Sequence, residues 1–283
     1  MRSVLITGGA GSFGRAFAAR MLEEPDVERV CIFSRGELRQ AELRDSLGND
    51  PKLRLFLGDV RDVWRLERAF EDIDVVVHAA ALKRIEVGHY NPDEMVKTNV
   101  LGAMNVIDAA RRARVKRVVA LSTDKACEPV SAYGQSKALM ESLFLAANHT
   151  QSKGPEFFVT RYGNVAGSAG SVIPKWRSAI ADTGRITVTD PDCTRFWMTM
   201  DDAVALVRSA ALGEFRVQHG GAITPTLPAY RLGDLALAME PRDILEVGLP
   251  PWEKRAESMA VGQTSDDARR MTIDELREAL KSV

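Results

Sequence analysis

The chain has 283 residues, with 38 Lys and Arg against 39 Asp and Glu and a formal net charge of −1. This balance gives no support for a nucleic acid or an anionic membrane surface as a partner. No apolar run approaches the roughly 20 residues of a membrane span, and the N-terminus enters a predicted strand almost at once. We therefore expect a cytoplasmic protein without a membrane segment or a signal peptide.

Cysteine and histidine form no metal-binding pattern. Cys31, Cys127 and Cys193 are widely spaced, and they match neither a zinc motif nor an evident disulfide framework. The four histidines are scattered along the chain, at His78, His89, His149 and His219. We expect no metal site.

Short β-rich runs alternate with helical patterns through the first two thirds of the chain. The predicted strands are residues 4–7, 29–33, 53–57, 75–79, 117–121 and 157–161. The predicted helices are residues 13–22, 37–47, 64–70, 92–112 and 132–148. Several strands are apolar almost throughout, as in parallel sheets that are buried on both faces. The alternation predicts an α/β fold with a doubly wound parallel sheet.

The pattern loosens after Gly163, where glycines and prolines separate short helices at residues 172–181 and 201–212. We interpret residues 166–283 as a smaller substrate-binding lobe, partly interleaved with the main sheet, and residues 1–165 as the cofactor-binding domain. The chain ends in a predicted helix, capped by Thr272 with Glu275 in a capping-box arrangement.

The first strand runs directly into TGGAGSFG, which places Gly8, Gly11 and Gly14 before a helix. Glycines here permit a tight turn and close approach of the backbone to a pyrophosphate, and the helix N-terminus adds free N–H groups. The alternative is an ordinary βα turn. Because the motif lies at the first βα junction of an alternating chain, we predict a dinucleotide site.

The ends of the next two strands bear on the choice of cofactor. Ser34 and Arg35 stand where an NAD enzyme usually has a carboxylate, and this pair suits the 2′-phosphate of NADP. Their alternative role is to solvate a loop. Asp59 and Val60, after the third strand, are placed to contact the adenine, although Asp59 could equally be a helix N-cap. NADP is the predicted cofactor.

Residues 122–137, STDKACEPVSAYGQSK, hold the chemistry. Tyr133 and Lys137 are four residues apart and share one face of a helix, where an ammonium can lower the pKa of a phenol and make it a general base. Asp124 and Lys125 are not needed for hydride transfer and indicate additional proton chemistry. In isolation an Asp-Lys pair is typical of a solvated surface, but this one follows a buried strand.

Together, TGGAGSFG, GDVRD, HAAALK, STDK with YGQSK, and RYGNVAGS resemble the extended short-chain dehydrogenase/reductase superfamily, with its Rossmann fold. SRGELRQ, HAAALKRIEVGHYNP, LSTDKACEPVSAYGQSK and TRFWMTMDDAV are similar to the inverting UDP-N-acetylglucosamine 4,6-dehydratases of bacterial polysaccharide biosynthesis. These segments span most of residues 1–212. Retaining 4,6-dehydratases carry Asp-Glu where this chain has Asp124 and Lys125.

The resemblance implies a reaction in three steps. Hydride leaves carbon 4 of the sugar, water is eliminated across carbons 5 and 6, and hydride returns to carbon 6 while carbon 5 is protonated from the opposite face. Tyr133 is the implied base for the carbon 4 hydroxyl, assisted by Thr123, and it also takes part in reprotonation. Lys137 holds the ribose and depresses the pKa of Tyr133.

The resemblance also implies roles for Asp124 and Lys125 in the elimination of water. Asp124 donates a proton to the departing carbon 6 hydroxyl, and Lys125 removes the carbon 5 proton. This requires a protonated Asp124 and a lowered pKa at Lys125, so we expect a desolvated or strongly coupled pair.

The resemblance also implies contacts with the cofactor and the substrate. The cofactor set is Gly8, Gly11, Ser12, Phe13, Gly14, Ser34, Arg35, Asp59, Val60, Ala79, Ala80, Ala81, Lys83, Asn99, Tyr133 and Lys137. The substrate set is Lys83, Asn164 and Arg195. The alternatives are a solvated loop for Lys83, an ion pair between the lobes for Arg195 and a site-shaping role for Asn99. Cys127 is interpreted as packing.

The last third departs from the family pattern. A lysine expected near the segment ITPTLP is missing, and Pro250 and Trp252 replace an arginine and a glycine that help relatives to hold the nucleotide diphosphate. Arg255 is a substitute in a different register. The predicted substrate is a nucleotide sugar, with a UDP-sugar favoured, and a homo-oligomer is expected through the helices that start near Pro92 and Ala132.

Two other functions stay open at this point. An epimerase or reductase would use only Tyr133, Thr123 and Lys137. A protein that binds NADP without catalysis would need none of these side chains.

Overall fold

A computed structural model describes residues 1–150, 154–215 and 221–283 of the chain. Of the four histidines named above, His219 lies outside the described residues. At its centre lies a six-stranded sheet in the order β3-β2-β1-β4-β5-β6, in which every pair is parallel. The strands are β1 Ser3–Thr7, β2 Arg29–Ser34, β3 Leu53–Leu57, β4 Val75–His78, β5 Arg117–Thr123 and β6 Glu156–Tyr162. The strand order reverses between β1 and β4, and ligands of such sheets bind outside the carboxyl ends of the strands at this point.

Helices cover both faces of the sheet. They are α1 Ser12–Leu22, α2 Glu37–Ser46, α3 Val63–Ala69, α4 Ile85–Tyr90, α5 Pro92–Met95, α6 Gly102–Arg112, α7 Ala132–His149, α8 Val172–Thr183, α9 Met200–Leu212, α10 Leu232–Ala238 and α11 Ile273–Leu280. A π-helical turn, Val96–Leu101, joins α5 to α6, and a 3-10 turn, Asp124–Ala126, follows β5.

Two apolar layers hold the helices to the sheet. On one face α1 and α9 bury Phe17 and Val207, and on the other α3 and α7 bury Leu66 and Phe144, all at 0% exposure. Each such side chain contributes about 1.5–3 kcal/mol through removal from water. Because α9 comes from the last third of the chain and packs in the first layer, that third is tied to the main sheet. The division at residues 165 and 166 stays a prediction.

The rest of the C-terminal third builds small sheets around its own core. Strands β7 Asn164–Val165, β9 Thr194–Met198 and β10 Ala229–Arg231 form one sheet, β8 Arg185–Val188 pairs with β11 Asp243–Glu246, and β12 Ser258–Ala260 pairs with β13 Gln263–Thr264. Trp176, Leu235 and Leu276 are buried in this core, which is separate from the two apolar layers of the main sheet.

The doubly wound parallel sheet is confirmed, and the predicted strands differ by at most two residues at an end. Two helical details differ: the predicted helix 92–112 contains the π turn, and α4 and α10 were not predicted. The capping box of Thr272 and Glu275 forms as expected. Across the described ranges, no helix combines the length and apolar character that crossing a membrane requires.

Candidate active site

The glycine loop between β1 and α1 is built by close backbone contacts. Gly8 has φ +68°, and a Cβ there would lie 2.8 Å from the backbone of Ala80. A Cβ on Gly14 would lie 2.5 Å from the backbone of Gly9. In the described part of the chain no side chain caps α1, whose N-cap is Gly11, so its first-turn N–H groups suit an anion such as a pyrophosphate.

Replacing Gly8 by alanine should lower the free energy of unfolding by several kcal/mol, because a positive φ and a backbone overlap act together. Gly48→Ala is the matched control. Gly48 has φ +67° but nothing within 4 Å of its added Cβ, so the loss there should stay near 1 kcal/mol. Urea denaturation of both variants measures the difference. Equal losses would show that the contact with Ala80 is unimportant.

Two neighbours of the loop are already engaged. Ser12 accepts a hydrogen bond at Oγ from the backbone N–H of Ala169, at 3.2 Å, so the loop after β7 lies over the start of α1. Phe13 stacks on Phe17, with ring centroids 5.5 Å apart. The glycine loop is therefore fixed from the core side and from the C-terminal third.

The ends of β2 and β3 lie side by side. Ser34 accepts from Gln40 at Oγ, at 2.9 Å, and Arg35 lies exposed, 3.8 Å from Asp59. Two nitrogens of the Arg61 guanidinium donate hydrogen bonds to Asp59 Oδ2. Burial would raise the pKa of the Asp59 carboxyl, but this contact lowers it below its usual value. The alternative role of Asp59 as an N-cap is wrong, because Asp62 caps α3 by accepting from the N–H of Arg65.

Val60 is buried, and its side chain packs against Gly102 of α6. It therefore presents a fixed apolar surface beside Asp59. Its predicted contact with adenine stays a prediction.

The segment after β4 is clamped to the helices behind it. Asn99, buried in the π turn, accepts from the N–H of Leu82 at 2.8 Å and donates to the Leu82 carbonyl and to Ser136 Oγ, both at 2.9 Å. The π turn directs this amide inward, which explains the break in the predicted helix. Asn99 thus ties Leu82, which follows Ala79, Ala80 and Ala81 in the chain, to Ser136 of α7. Lys83 is exposed at the same edge.

The end of β5 places the Asp-Lys pair inside the protein. Asp124 is fully buried, and Thr123 Oγ1 donates to its Oδ1 at 2.9 Å. The ammonium of Lys125 contacts three acceptors: Asp124 Oδ1 at 3.1 Å, Asn164 Oδ1 at 3.0 Å and Glu257 Oε1 at 3.2 Å. The interpretation of this pair as solvated surface charge is therefore wrong.

Burial and the nearby carboxylate of Glu257 raise the pKa of Asp124, although Lys125 opposes them. This is the direction that a proton donor needs. For Lys125, burial favours the neutral amine, but Asp124 and Glu257 outweigh it and raise the pKa above its usual value. The expected lowering of the Lys125 pKa is wrong, because the second carboxylate was not foreseen.

Tyr133 is partly buried at the start of α7. Burial raises its pKa to about 12, while Lys125 and a hydrogen bond with Thr123 act in the opposite direction. Lys137 does not lower it. The Lys137 ammonium is buried and donates to the Leu121 carbonyl at 2.6 Å, and burial lowers its own pKa to about 8. The predicted effect of Lys137 on the phenol is corrected: Lys125 is the cation that acts on Tyr133.

Two of the predicted substrate residues, Asn164 and Arg195, lie in different surroundings. Asn164 lies against Lys125, inside the site. Arg195 is 6% exposed and donates to the carbonyls of Thr194 and Arg255, and it lies 3.5 Å from Glu253. Arg195 therefore forms an ion pair, but the partner belongs to the C-terminal third itself, so the alternative of an ion pair between the lobes is wrong.

The segment around Trp252 that departs from the family pattern lies close to the site. Lys254 donates to the carbonyl of Cys127 at 2.9 Å, and the Cys127 side chain is buried, as packing requires. The ring of Trp252 lies 4.2 Å from that of His89 in α4. Arg255 pairs with Asp190 and Asp192.

Three residues of the site were missed from the sequence. Glu257 and Tyr230 are both 2% exposed, and Tyr230 hydrogen bonds to Asn164. Behind them Arg161 joins Glu141 of α7, at 2.9 Å, to the carbonyl of Met259. No local pattern connects these tail residues to the YGQSK segment, because the contacts arise only when the tail folds back. Glu257 lies two residues after Arg255, in the segment where the sequence departs from the family pattern.

Known proteins were compared with this chain. A model of the family described as polysaccharide biosynthesis protein matches residues 4–276. A Campylobacter jejuni protein named UDP-N-acetylglucosamine 4,6-dehydratase (inverting) is 44% identical over 271 residues, which are 94% of this chain and 79% of that protein. A Rickettsia canadensis protein named UDP-glucose 4-epimerase is 43% identical and covers 96% of this chain and 83% of its own length.

Solved structures agree on the fold. The X-ray structure of Pen from Bacillus thuringiensis has a TM-score of 0.92 and 31% identity, and covers 100% of this chain and 98% of that one. A dTDP-glucose 4,6-dehydratase from Streptomyces venezuelae, with NAD and TYD bound, has a TM-score of 0.78 and 23% identity over 99% of this chain and 96% of its own. The chain belongs to the polysaccharide biosynthesis protein family, within the extended short-chain dehydrogenase/reductase superfamily.

Proposed function

We propose that the protein is an NADP-dependent nucleotide-sugar 4,6-dehydratase that acts on UDP-N-acetylglucosamine and inverts carbon 5. The observation that carries the proposal is the buried pair of Asp124 and Lys125, 3.1 Å apart and adjacent to Thr123 and Tyr133. Hydride transfer alone needs neither charge. The inverting dehydratase from Campylobacter jejuni, at 44% identity, supports the same activity.

The residues at the cofactor end fit a nicotinamide dinucleotide. A side chain at Gly8 or Gly14 would overlap backbone atoms, and the start of α1 offers N–H groups to a pyrophosphate. Arg35 and Ser34 favour NADP, because a guanidinium can pair with a 2′-phosphate. When bound, the cofactor would supply the acceptor, and later the donor, of the hydride that moves from carbon 4 to carbon 6.

The first proton step belongs to Tyr133. Its phenolate takes the proton of the carbon 4 hydroxyl as hydride leaves that carbon, which forms the ketone. Lys125 and the hydroxyl of Thr123 both favour the phenolate, against the effect of burial.

The elimination step belongs to the Asp-Lys pair. Proton transfer from the ammonium of Lys125 to Asp124, across 3.1 Å, gives a neutral amine and a carboxylic acid. Asp124 Oδ1 receives this proton, and Asp124 Oδ2 is buried without a hydrogen-bond partner in the described part of the chain, which favours the neutral acid. Lys125 then takes the carbon 5 proton, and Asp124 protonates the departing hydroxyl as water.

The cycle closes without an outside acid or base. After hydride reaches carbon 6, Tyr133 returns its proton to carbon 5 from the face opposite Lys125, and becomes a phenolate again. Asp124 and Lys125 are left as carboxylate and ammonium, the ion pair seen in the structure. This balance is why one pair of opposite charges suffices for elimination.

Incubation with UDP-N-acetylglucosamine tests the function directly. Mass spectrometry should show a product lighter by one water. A product of unchanged mass would instead support the second candidate, an epimerase that uses only Tyr133, Thr123 and Lys137. That candidate is favoured by the Rickettsia relatives named UDP-glucose 4-epimerase.

The cofactor preference rests on Arg35. Arg35→Ala should weaken binding of NADP by about tenfold to a hundredfold, because a charged hydrogen bond is worth about 1.5–3 kcal/mol, and should leave NAD binding unchanged. Arg44→Ala, an exposed arginine in the last turn of α2, is the control. Isothermal titration with both cofactors measures the preference. An equal loss for NAD and NADP would exclude a contact with the 2′-phosphate.

A homo-oligomer is the proposed assembly. The helices from Pro92 to Arg112 and α7 expose apolar side chains that a second copy would cover, namely Val96, Leu101, Met104 and Leu139. Light scattering in solution should give a mass of at least twice 31.1 kDa. A mass of one chain would contradict the assembly without affecting the proposed chemistry.

A further inference from the structure

We infer that Glu257 is a positioning residue whose carboxylate holds the ammonium of Lys125 that forms when the carbon 5 proton is removed. The inference rests on the proposed dehydratase function. Glu257 Oε1 lies 3.2 Å from Lys125 Nζ, and Glu257 is 2% exposed. A buried carboxylate at this distance attracts a positive charge more strongly than one in water.

The surroundings leave Glu257 as the permanent counterion. The charged and titratable groups that face Lys125 from the elements around it are Asp124, Glu257, Arg195, Tyr133 and Tyr230. Only the first two are carboxylic acids. Asp124 must be neutral when it protonates the leaving hydroxyl, so it cannot balance Lys125 throughout the cycle.

Glu257 is held as an anion by three cations. Its Oε2 lies 3.0 Å from Lys254, and its Oε1 lies 4.0 Å from Arg195 in addition to the contact with Lys125. Although burial opposes ionisation, Lys125, Arg195 and Lys254 lower the pKa of Glu257. Its charge therefore stays constant while Asp124 gains and loses a proton.

Glu257 lies in residues 253–260, a segment that we call the strap. The strap is hydrogen bonded to the residues that directly follow the turn Asp124–Ala126. The backbone N–H of Glu257 donates to Ser265 Oγ at 2.9 Å. Lys254 donates to the Cys127 carbonyl, and Ser258 donates to Glu128 at 3.0 Å. The carboxylate is thus placed before the reaction begins, as a group that stabilises a developing charge should be.

The consequence is a stronger base. Glu257 stabilises the ammonium, so it increases the affinity of Lys125 for the carbon 5 proton, while transfer to Asp124 supplies the neutral amine. Without Glu257 the pair would lose its proton at lower pH, because one of the two carboxylates that raise the pKa of Lys125 is gone. The pH dependence belongs to the coupled pair rather than to one residue.

Glu257→Gln is a nearly isosteric test. Lys125 should become reactive towards a small amine-acylating reagent at a pH about one to three units lower, read by peptide mass spectrometry. The basic limb of the pH–rate profile for water loss should move in the same direction, and the rate at its optimum should fall at least about tenfold. Glu253→Gln, which removes a strap carboxylate that contacts Arg195, should leave the labelling pH of Lys125 unchanged.

The labelling separates two kinds of failure. An unchanged labelling pH in Glu257→Gln would overturn the role of Glu257, whatever the substrate is. If the wild type loses no water from UDP-N-acetylglucosamine, the proposed function fails while the labelling still reports on Glu257. Should the glutamine variant not fold, Glu257→Asp keeps the charge but withdraws it by one methylene, and its labelling pH should fall by a smaller amount. No change there would equally overturn the inference.

Discussion

Replacing Lys125 by methionine should slow the loss of water from UDP-N-acetylglucosamine by about 10²–10⁴-fold, the contribution of one positioned acid or base. Methionine retains a flexible apolar side chain but cannot take the carbon 5 proton. Tyr133 and Thr123 keep their positions, so oxidation at carbon 4 should still occur, although more slowly because Lys125 no longer favours the phenolate. In a single turnover, the absorbance of reduced nicotinamide should therefore rise and persist, while mass spectrometry shows almost no dehydrated product.

The matched control is Lys116→Met. Lys116 is a surface lysine paired with Asp74, where β5 begins and therefore at the edge of the sheet opposite the active site. It should retain the wild-type rate of water loss. If Lys125→Met lost water at the wild-type rate, Lys125 could not be the base that removes the carbon 5 proton. Thermal unfolding of both variants shows whether a lost activity reflects a lost fold, since removal of the ammonium leaves Asp124 and Glu257 without their shared partner.

The central sheet was predictable because its strands are local and apolar. Runs such as Val75–His78 are buried on both faces, and each lies between helices of recognisable period. The π turn was not predictable from period, because Val96–Leu101 continues a helical pattern in sequence. Its form depends on Asn99 reaching Leu82 and Ser136, two contacts outside the helix.

The proximity of the candidate catalytic residues was predictable for the same local reason, since Thr123, Asp124, Lys125, Tyr133 and Lys137 lie within one short segment. The electrostatics were not predictable. The pKa of Lys125 depends on Glu257, far along the chain, and the effect of Lys137 on the phenol is lost because its ammonium binds the Leu121 carbonyl. A charge's neighbours are set by tertiary contacts, and these follow no sequence period.

Tyr133→Phe should abolish the reaction at an earlier point than Lys125→Met does. The ring and its packing remain, but the oxygen that accepts the carbon 4 proton is gone, so hydride transfer should slow by about 10²–10⁴-fold. No reduced nicotinamide should accumulate in a single turnover, and neither dehydrated nor epimerised sugar should form. The two variants thus divide the reaction at the ketone, with Tyr133 before it and Lys125 after it.

Tyr90→Phe is the control for Tyr133→Phe. Tyr90 is 82% exposed at the end of α4, so loss of its hydroxyl should leave the rate within experimental error of wild type. If Tyr133→Phe retained the full rate of water loss, the phenol could not be the base for the carbon 4 hydroxyl. If Tyr133→Phe formed reduced nicotinamide normally but eliminated no water from the sugar, Tyr133 would act only after oxidation. The proton of the carbon 4 hydroxyl would then have to pass to Thr123 instead.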